Sequence, residues 1–145
     1  MPSFNLTDTQ EMMIATARDF GRQVLEPAEI ALDKMEPTEA FASETYRKAM
    51  ASAYQLGFHK MALSQQVGGL GLDHATIGMV WEELARYGVG FAASLVASSV
   101  VPQLISFLAP DNKRLIERYV VPFCEDTTGT HLTAWGSSEP AVGSD

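Results

Sequence analysis

The chain has 145 residues, 46% hydrophobic and 19% charged, with a formal net charge of −8. That is the composition of one folded domain with a core, and it excludes a disordered chain. The acidic balance, with no basic run against it, argues against nucleic acid or anionic lipid as partners, and the single Cys124 excludes an intrachain disulfide.

The first residues, Met-Pro-Ser-Phe-Asn-Leu, carry no basic region followed by an apolar run, so no signal peptide is expected. Thr7-Asp8-Thr9-Gln10 has the spacing of a capping box, with Leu6 and Phe4 as a possible staple. Met13, Ala17, Phe20 and Val24 then recur on one helical face, and Pro27 is expected to end or kink that helix. A second helix is expected over 38–56, with Phe41, Tyr46, Ala49, Ala53 and Leu56 towards the core and Gly57 as a left-handed cap. The glycines of "FHKMALSQQVGGLGLD" interrupt any helix, so this is an ordered loop anchored by Val67, Leu70 and Leu72.

Asp73 caps a third helix with Ile77, Trp81, Leu84 and Ala85 inward and Gly88 at its close. Glu82, Glu83 and Arg86 are expected on its outer face or edge. Residues 89–109 are apolar on nearly every side, which describes a central helix, with a break or kink at Pro102. Ser94, Ser98 and Ser99 make the stretch 89–101 too short and too polar for a membrane span. Asp111 can cap a last helix that buries Leu115, Ile116, Tyr119 and Val120 and ends near Pro122. Cys124 reads as a small half-buried hydrophobe. From Thr127 helical periodicity is lost. A strand is expected there, with His131, Thr133 and Trp135 on one face, and it needs a partner from another chain or from a sheet lying elsewhere.

The fold class is therefore all-α, an orthogonal bundle of about five or six helices, followed by the first strand of a β domain. The domains expected are 1–126, helical, and 127–145, the start of the β domain.

Chemistry-bearing patterns are few. Gly68-Gly69-Leu70-Gly71 does not extend to G-x-G-x-x-G, because the last position is His74. His59, His74 and His131 lack neighbours at ligand spacing, so no metal site is expected. Adjacent Glu82 and Glu83 point about 100° apart on a helix and cannot share a proton. The end of the chain differs. Trp135 offers a flat ring, Ser137, Ser138 and Ser144 offer hydroxyls, and Gly143 permits close backbone approach, a set suited to a planar heterocycle or a nearby phosphate.

Five stretches occur in a telling order: "FNLTDTQEMMIATARDFGRQVLEPAE", "YQLGFHKMALSQQVGGLGL", "VWEELARYG", "LAPDNKRLIERYVVPF" and "SSEPAVGSD". Together they resemble the N-terminal helical domain of the acyl-CoA dehydrogenase family, running into "thr-glu-pro-gly-ala-gly-ser-asp" at the start of its middle β domain. The resemblance covers essentially the whole chain. Ser138 stands for the family's Thr and keeps the hydroxyl. Ala141-Val142 stand for Gly-Ala and narrow the turn. "SQQVGG" stands for "pro-glu-glu-tyr-gly-gly", and Pro110 stands where Gly is common.

The resemblance implies FAD, lined by Trp135, contacted by Ser137 and Ser138, and approached by Gly143 and Ser144, with Ser144 also near the bound acyl-CoA. It implies α,β-dehydrogenation of an acyl-CoA thioester in fatty acid metabolism, an electron-transfer flavoprotein as acceptor, and a homo-oligomer, tetramer or dimer. The catalytic base and most of the interface belong to the family's C-terminal domain, so no catalytic residue is expected within these residues, nor turnover or tight FAD binding by them alone. The location implied is the cytoplasm or the mitochondrial matrix, without membrane insertion. A flavin monooxygenase or oxidase of the same fold and a non-catalytic helical interaction module are the competing readings.

Overall fold

The computed structural model describes residues 5–136. Thr7 opens α1 (Asp8–Phe20) through the expected capping box: its amide donates to Gln10 Oε1 at 3.0 Å, and its Oγ1 accepts the Gln10 amide at 3.3 Å. Met13, Ala17 and Phe20 are buried and Val24 packs partly against the core, while Leu6 is largely exposed. The possible staple residue Phe4 lies outside the described residues.

Pro27 does not end this helix. A π turn over Gly21–Leu25 joins α1 to α2 (Glu26–Leu32), and the Glu26 amide donates back to the Gly21 carbonyl. The wider turn absorbs the amide that proline lacks, so the rod continues without a break.

The helix expected over 38–56 is two: α3 (Pro37–Ala42) and α4 (Glu44–Gln55). Ser43 divides them. Its hydroxyl donates to the Ala40 carbonyl at 2.6 Å and accepts the Tyr46 amide at 3.1 Å, closing one helix and capping the next. The break turns Phe41 outward, and Leu56 also stays exposed, so neither joins the core. Gly57 follows at φ +78°, the expected left-handed cap. The glycine-rich loop is ordered, with Val67, Leu70 and Leu72 packed on the core.

Asp73 caps α5 (His74–Tyr87), accepting the Thr76 amide at 3.0 Å. The two adjacent glutamates part company. Glu82 faces solvent, whereas Glu83 is only 5% exposed and receives Arg18 Nε from α1 at 2.9 Å. Glu83 is thus an inter-helix anchor and not an edge residue. The Arg18 hydrogen bond holds its carboxyl below the usual range against the opposing effect of burial.

α6 (Val89–Leu108) is one continuous helix with Pro102 inside it, where a break or kink was expected. Glu29 of α2 caps it, accepting the Phe91 amide at 2.9 Å, a carboxylate at a positive helix end. α6 is longer than the stretch 89–101 read from the sequence, and at 20 residues it is long and apolar enough to cross a membrane by length and composition alone. Here Phe91, Ala92, Leu95, Ser98, Ser99 and Pro102 are buried in the bundle.

Asn112, not Asp111, caps α7 (Lys113–Leu115). A π turn (Ile116–Val120) carries α7 into α8 (Val121–Glu125), past the expected end at Pro122. Tyr119 is exposed; Val120, Phe123 and Cys124 are buried. Counting each joined pair as one rod, the described residues hold six helical rods, an all-α bundle. α5 packs between α1 and α6. The core is centred on Phe20, Leu25, Met50, Tyr54, Phe58, Leu84, Leu95 and Phe123.

Residues 127–136 form no strand. A strand needs a ladder partner, and among the described residues there is none; this segment instead spends its polar groups on the bundle.

Candidate cofactor-facing segment

The segment 126–136 leaves α8 and crosses the bundle surface. Asp126 organises its first turn. Oδ1 accepts the Thr128 amide and hydroxyl, each at 2.6 Å, and Oδ2 accepts the amides of Thr130 and His131, each at 2.8 Å. His131 Nδ1 lies 3.2 Å from the same oxygen. Asp126 is 7% exposed. Burial works against its charge, but the donors from Thr128 and His131 outweigh it and hold the carboxyl well below the usual carboxylate range. Gly129 completes the turn at φ +71°, where a Cβ would stand 3.0 Å from Met50 of α4. Glycine therefore serves twice here, for the left-handed backbone and for the close approach.

Two further bonds tie the segment down. Tyr54, buried in α4, donates its hydroxyl to the His131 carbonyl at 3.0 Å. Burial raises the phenol pKa, so it remains a donor. Thr133 Oγ1 donates to the Ser98 carbonyl of α6 at 2.6 Å. Lys60 Nζ reaches the Cys124 carbonyl at 2.8 Å and fastens the end of α8 to the loop after α4.

Beneath the segment, His59 stacks on Tyr54 with ring centroids 3.9 Å apart and an interplanar angle of 1°. His59 is 1% exposed, and neither ring nitrogen has a hydrogen-bond partner among the described residues. Burial, with the Lys60 charge adding to it, pushes its pKa down to about 4, so the ring is neutral near pH 7. It lines a cavity of about 150 Å³ with Phe58, Trp81, Ser99, Val100 and Gln103. A larger hollow of about 350 Å³ lies beside the segment, between Phe41, Tyr46, Met50 and Leu132. Among the described residues no group of three or more His, Cys, Asp or Glu could hold a metal ion.

Of the residues expected at a cofactor, the structure describes Trp135 alone. It is 62% exposed, two residues beyond the Thr133 anchor. Ser137, Ser138, Gly143 and Ser144 lie outside the described residues. Asp126 and Tyr54, which secure the segment, were not singled out in the sequence, and Ser98 was noted there only for its polarity. Asp126 had a readable signal: Asp-Thr-Thr-Gly-Thr is an Asx-turn sequence.

Residues 7–126 match the family model described as "Acyl-CoA dehydrogenase, N-terminal domain". The chain belongs to the acyl-CoA dehydrogenase family. It is 31% identical over 147 aligned positions to the human mitochondrial short-chain specific acyl-CoA dehydrogenase, covering 99% of this chain and 32% of that protein. The butyryl-CoA dehydrogenase structure from Megasphaera elsdenii superimposes with a TM-score of 0.70 at 28% identity, covering 97% of this chain and 35% of that one. Podospora anserina nitroalkane oxidase shares the fold, with a TM-score of 0.81 at 23% identity, over 97% of this chain and 32% of that one. This acyl-CoA dehydrogenase domain thus spans about one third of the length of the curated relatives it matches.

Proposed function

We propose that these residues are the N-terminal part of an FAD-dependent acyl-CoA dehydrogenase that removes the α and β hydrogens of an acyl-CoA thioester. One observation carries the reading: a family match through residue 126 followed, on a secured segment, by Trp135 and "SSEPAVGSD". The described part fits a planar cofactor, because an open indole ring stands on backbone anchored at His131 and Thr133. Trp135, Ser137, Ser138, Gly143 and Ser144 would hold FAD, with Ser144 also towards the acyl-CoA. Residues 127–145 belong to the middle β domain and 1–126 to the helical domain. Flavin supplies the hydride acceptor when bound. The chain's own share is to place hydroxyls and amides against the ring and to exclude water behind it, since orientation and fixed donors carry much of such a barrier.

The base that takes the α proton lies outside these residues. Electrons pass on to an electron-transfer flavoprotein, and the whole protein is a homo-oligomer, tetramer or dimer, working in fatty acid metabolism. We place it in the cytoplasm or the mitochondrial matrix, the latter supported by a relative named as mitochondrial. To test the reading, the natural gene product is purified, its absorbance recorded, and a panel of acyl-CoA esters assayed, starting from butyryl-CoA. Flavin bands and 2-enoyl-CoA formation with an electron-transfer flavoprotein are expected. A protein that stays colourless after reconstitution with FAD contradicts it. A flavin reoxidised by oxygen in each turnover points to an oxidase instead.

A further inference from the structure

Pro102 sits four residues after Ser98 in an unbroken helix. Every interior carbonyl of an α-helix normally accepts the amide four residues on, and proline has none to give. The Ser98 carbonyl is therefore left without its helical donor on a nearly buried residue, a position that costs free energy unless another donor arrives. The donor that arrives is Thr133 Oγ1, at 2.6 Å, from a segment 35 residues away. Alongside it, the Tyr54 hydroxyl binds the His131 carbonyl at 3.0 Å. One anchor is thus a hydroxyl of the segment on a helix carbonyl, and the other a helix hydroxyl on the segment's carbonyl. The two together fix both the position and the direction of the chain just before Trp135.

We infer that Pro102 and Thr133 form a matched lock: the proline withholds a helical hydrogen bond so that the Ser98 carbonyl serves as receptor for Thr133. The lock sets where the chain stands as it enters Trp135, the first of the residues assigned to the cofactor. Thr133 is a positioning residue and not a catalytic one, because it acts through the backbone it holds. The lock itself is independent of the functional assignment. Its role at the flavin rests on the reading given above.

The test has two arms. In the 145-residue chain, amide hydrogen exchange is followed at His131 and Leu132 in Thr133→Val, Thr133→Ser, Pro102→Ala and the double variant Pro102→Ala/Thr133→Val. Thr133→Val is expected to speed exchange about tenfold, as for the loss of one good hydrogen bond, and Thr133→Ser to keep the native rate. With Pro102→Ala the helix supplies its own amide to Ser98, so adding Thr133→Val has a clearly smaller effect. Unchanged exchange in Thr133→Val, or strictly additive effects in the double variant, overturns the lock. Thr133→Ser and the single variants also show whether a change comes from misfolding, through their helical circular dichroism.

In the natural flavoprotein, Thr133→Val is expected to weaken FAD binding several-fold and Thr133→Ser to restore it. Unchanged FAD affinity with faster exchange overturns the positioning role. A gene product without flavin overturns the functional reading, and the exchange arm alone then decides the lock.

Discussion

Asp126 concentrates more hydrogen bonds than any other side chain in the segment, and its charge is what holds them. Its folded pKa lies below the unfolded value, so its contribution is fully present above the unfolded pKa, about 4, and is lost as pH falls through the folded one. Asp126→Ala is expected to cost about 1.5–3 kcal/mol at pH 7 by removing hydrogen bonds to a charged acceptor that hold the turn. Measured by urea unfolding, the difference from wild type should shrink below pH 4. His59 makes the opposite case: burial depresses a base, the unfolded chain binds the extra proton, and stability therefore falls as pH drops from about 6.5 to about 4. His59→Leu should flatten that window, as followed by urea unfolding between pH 4 and pH 7. Such residues mark the limit of sequence reading. Thr7, Asp73 and Gly57 were legible because local backbone geometry alone decides caps. Glu83 and Glu82 were not, because which of two adjacent carboxylates meets Arg18 depends on how α5 rests against α1.

At the scale of elements, two prolines depart from expectation in the same direction. Pro27 and Pro102 were expected to break or kink helices, and both lie inside continuous rods. In one the missing amide is absorbed by a π turn, in the other its stranded carbonyl is satisfied by a hydroxyl distant in sequence. Neither remedy has a local signature. Ser43 was legible in principle, as a serine ahead of a glutamate can cap, yet the apolar spacing across 38–56 hid the break. The expected strand failed for another reason: a ladder is a property of two segments, and one alone cannot form it. Helix chemistry predicts that Pro102→Ala raises the thermal midpoint, since an interior proline is costly by about 3 kcal/mol relative to alanine before the cavity it leaves is counted. A lowered midpoint with unchanged exchange in the segment would show that Pro102 is there for packing alone.

For the whole molecule, the unfinished surface is the informative one. α6 is the most apolar helix, yet Val89, Val96, Phe107 and Leu108 stay exposed, Phe107 at 81%. Phe107 and Leu108 stand side by side at the end of α6, and adjoining exposed apolar side chains of this size are normally covered; relatives about three times as long have the material to cover them. The 145-residue chain by itself is expected to self-associate at micromolar concentration. Phe107→Lys with Leu108→Lys should return it to a monomer in sedimentation velocity, with no loss of helical signal.

We propose that "SSEPAVGSD", which follows the segment secured by Asp126, Tyr54 and Thr133, contacts a flavin. This central claim is tested most directly by the FAD dissociation constant of the natural gene product with Gly143 replaced by leucine. A loss of tenfold or more in affinity, with the helical bundle intact, is the result predicted. An unchanged dissociation constant contradicts the placement of the site.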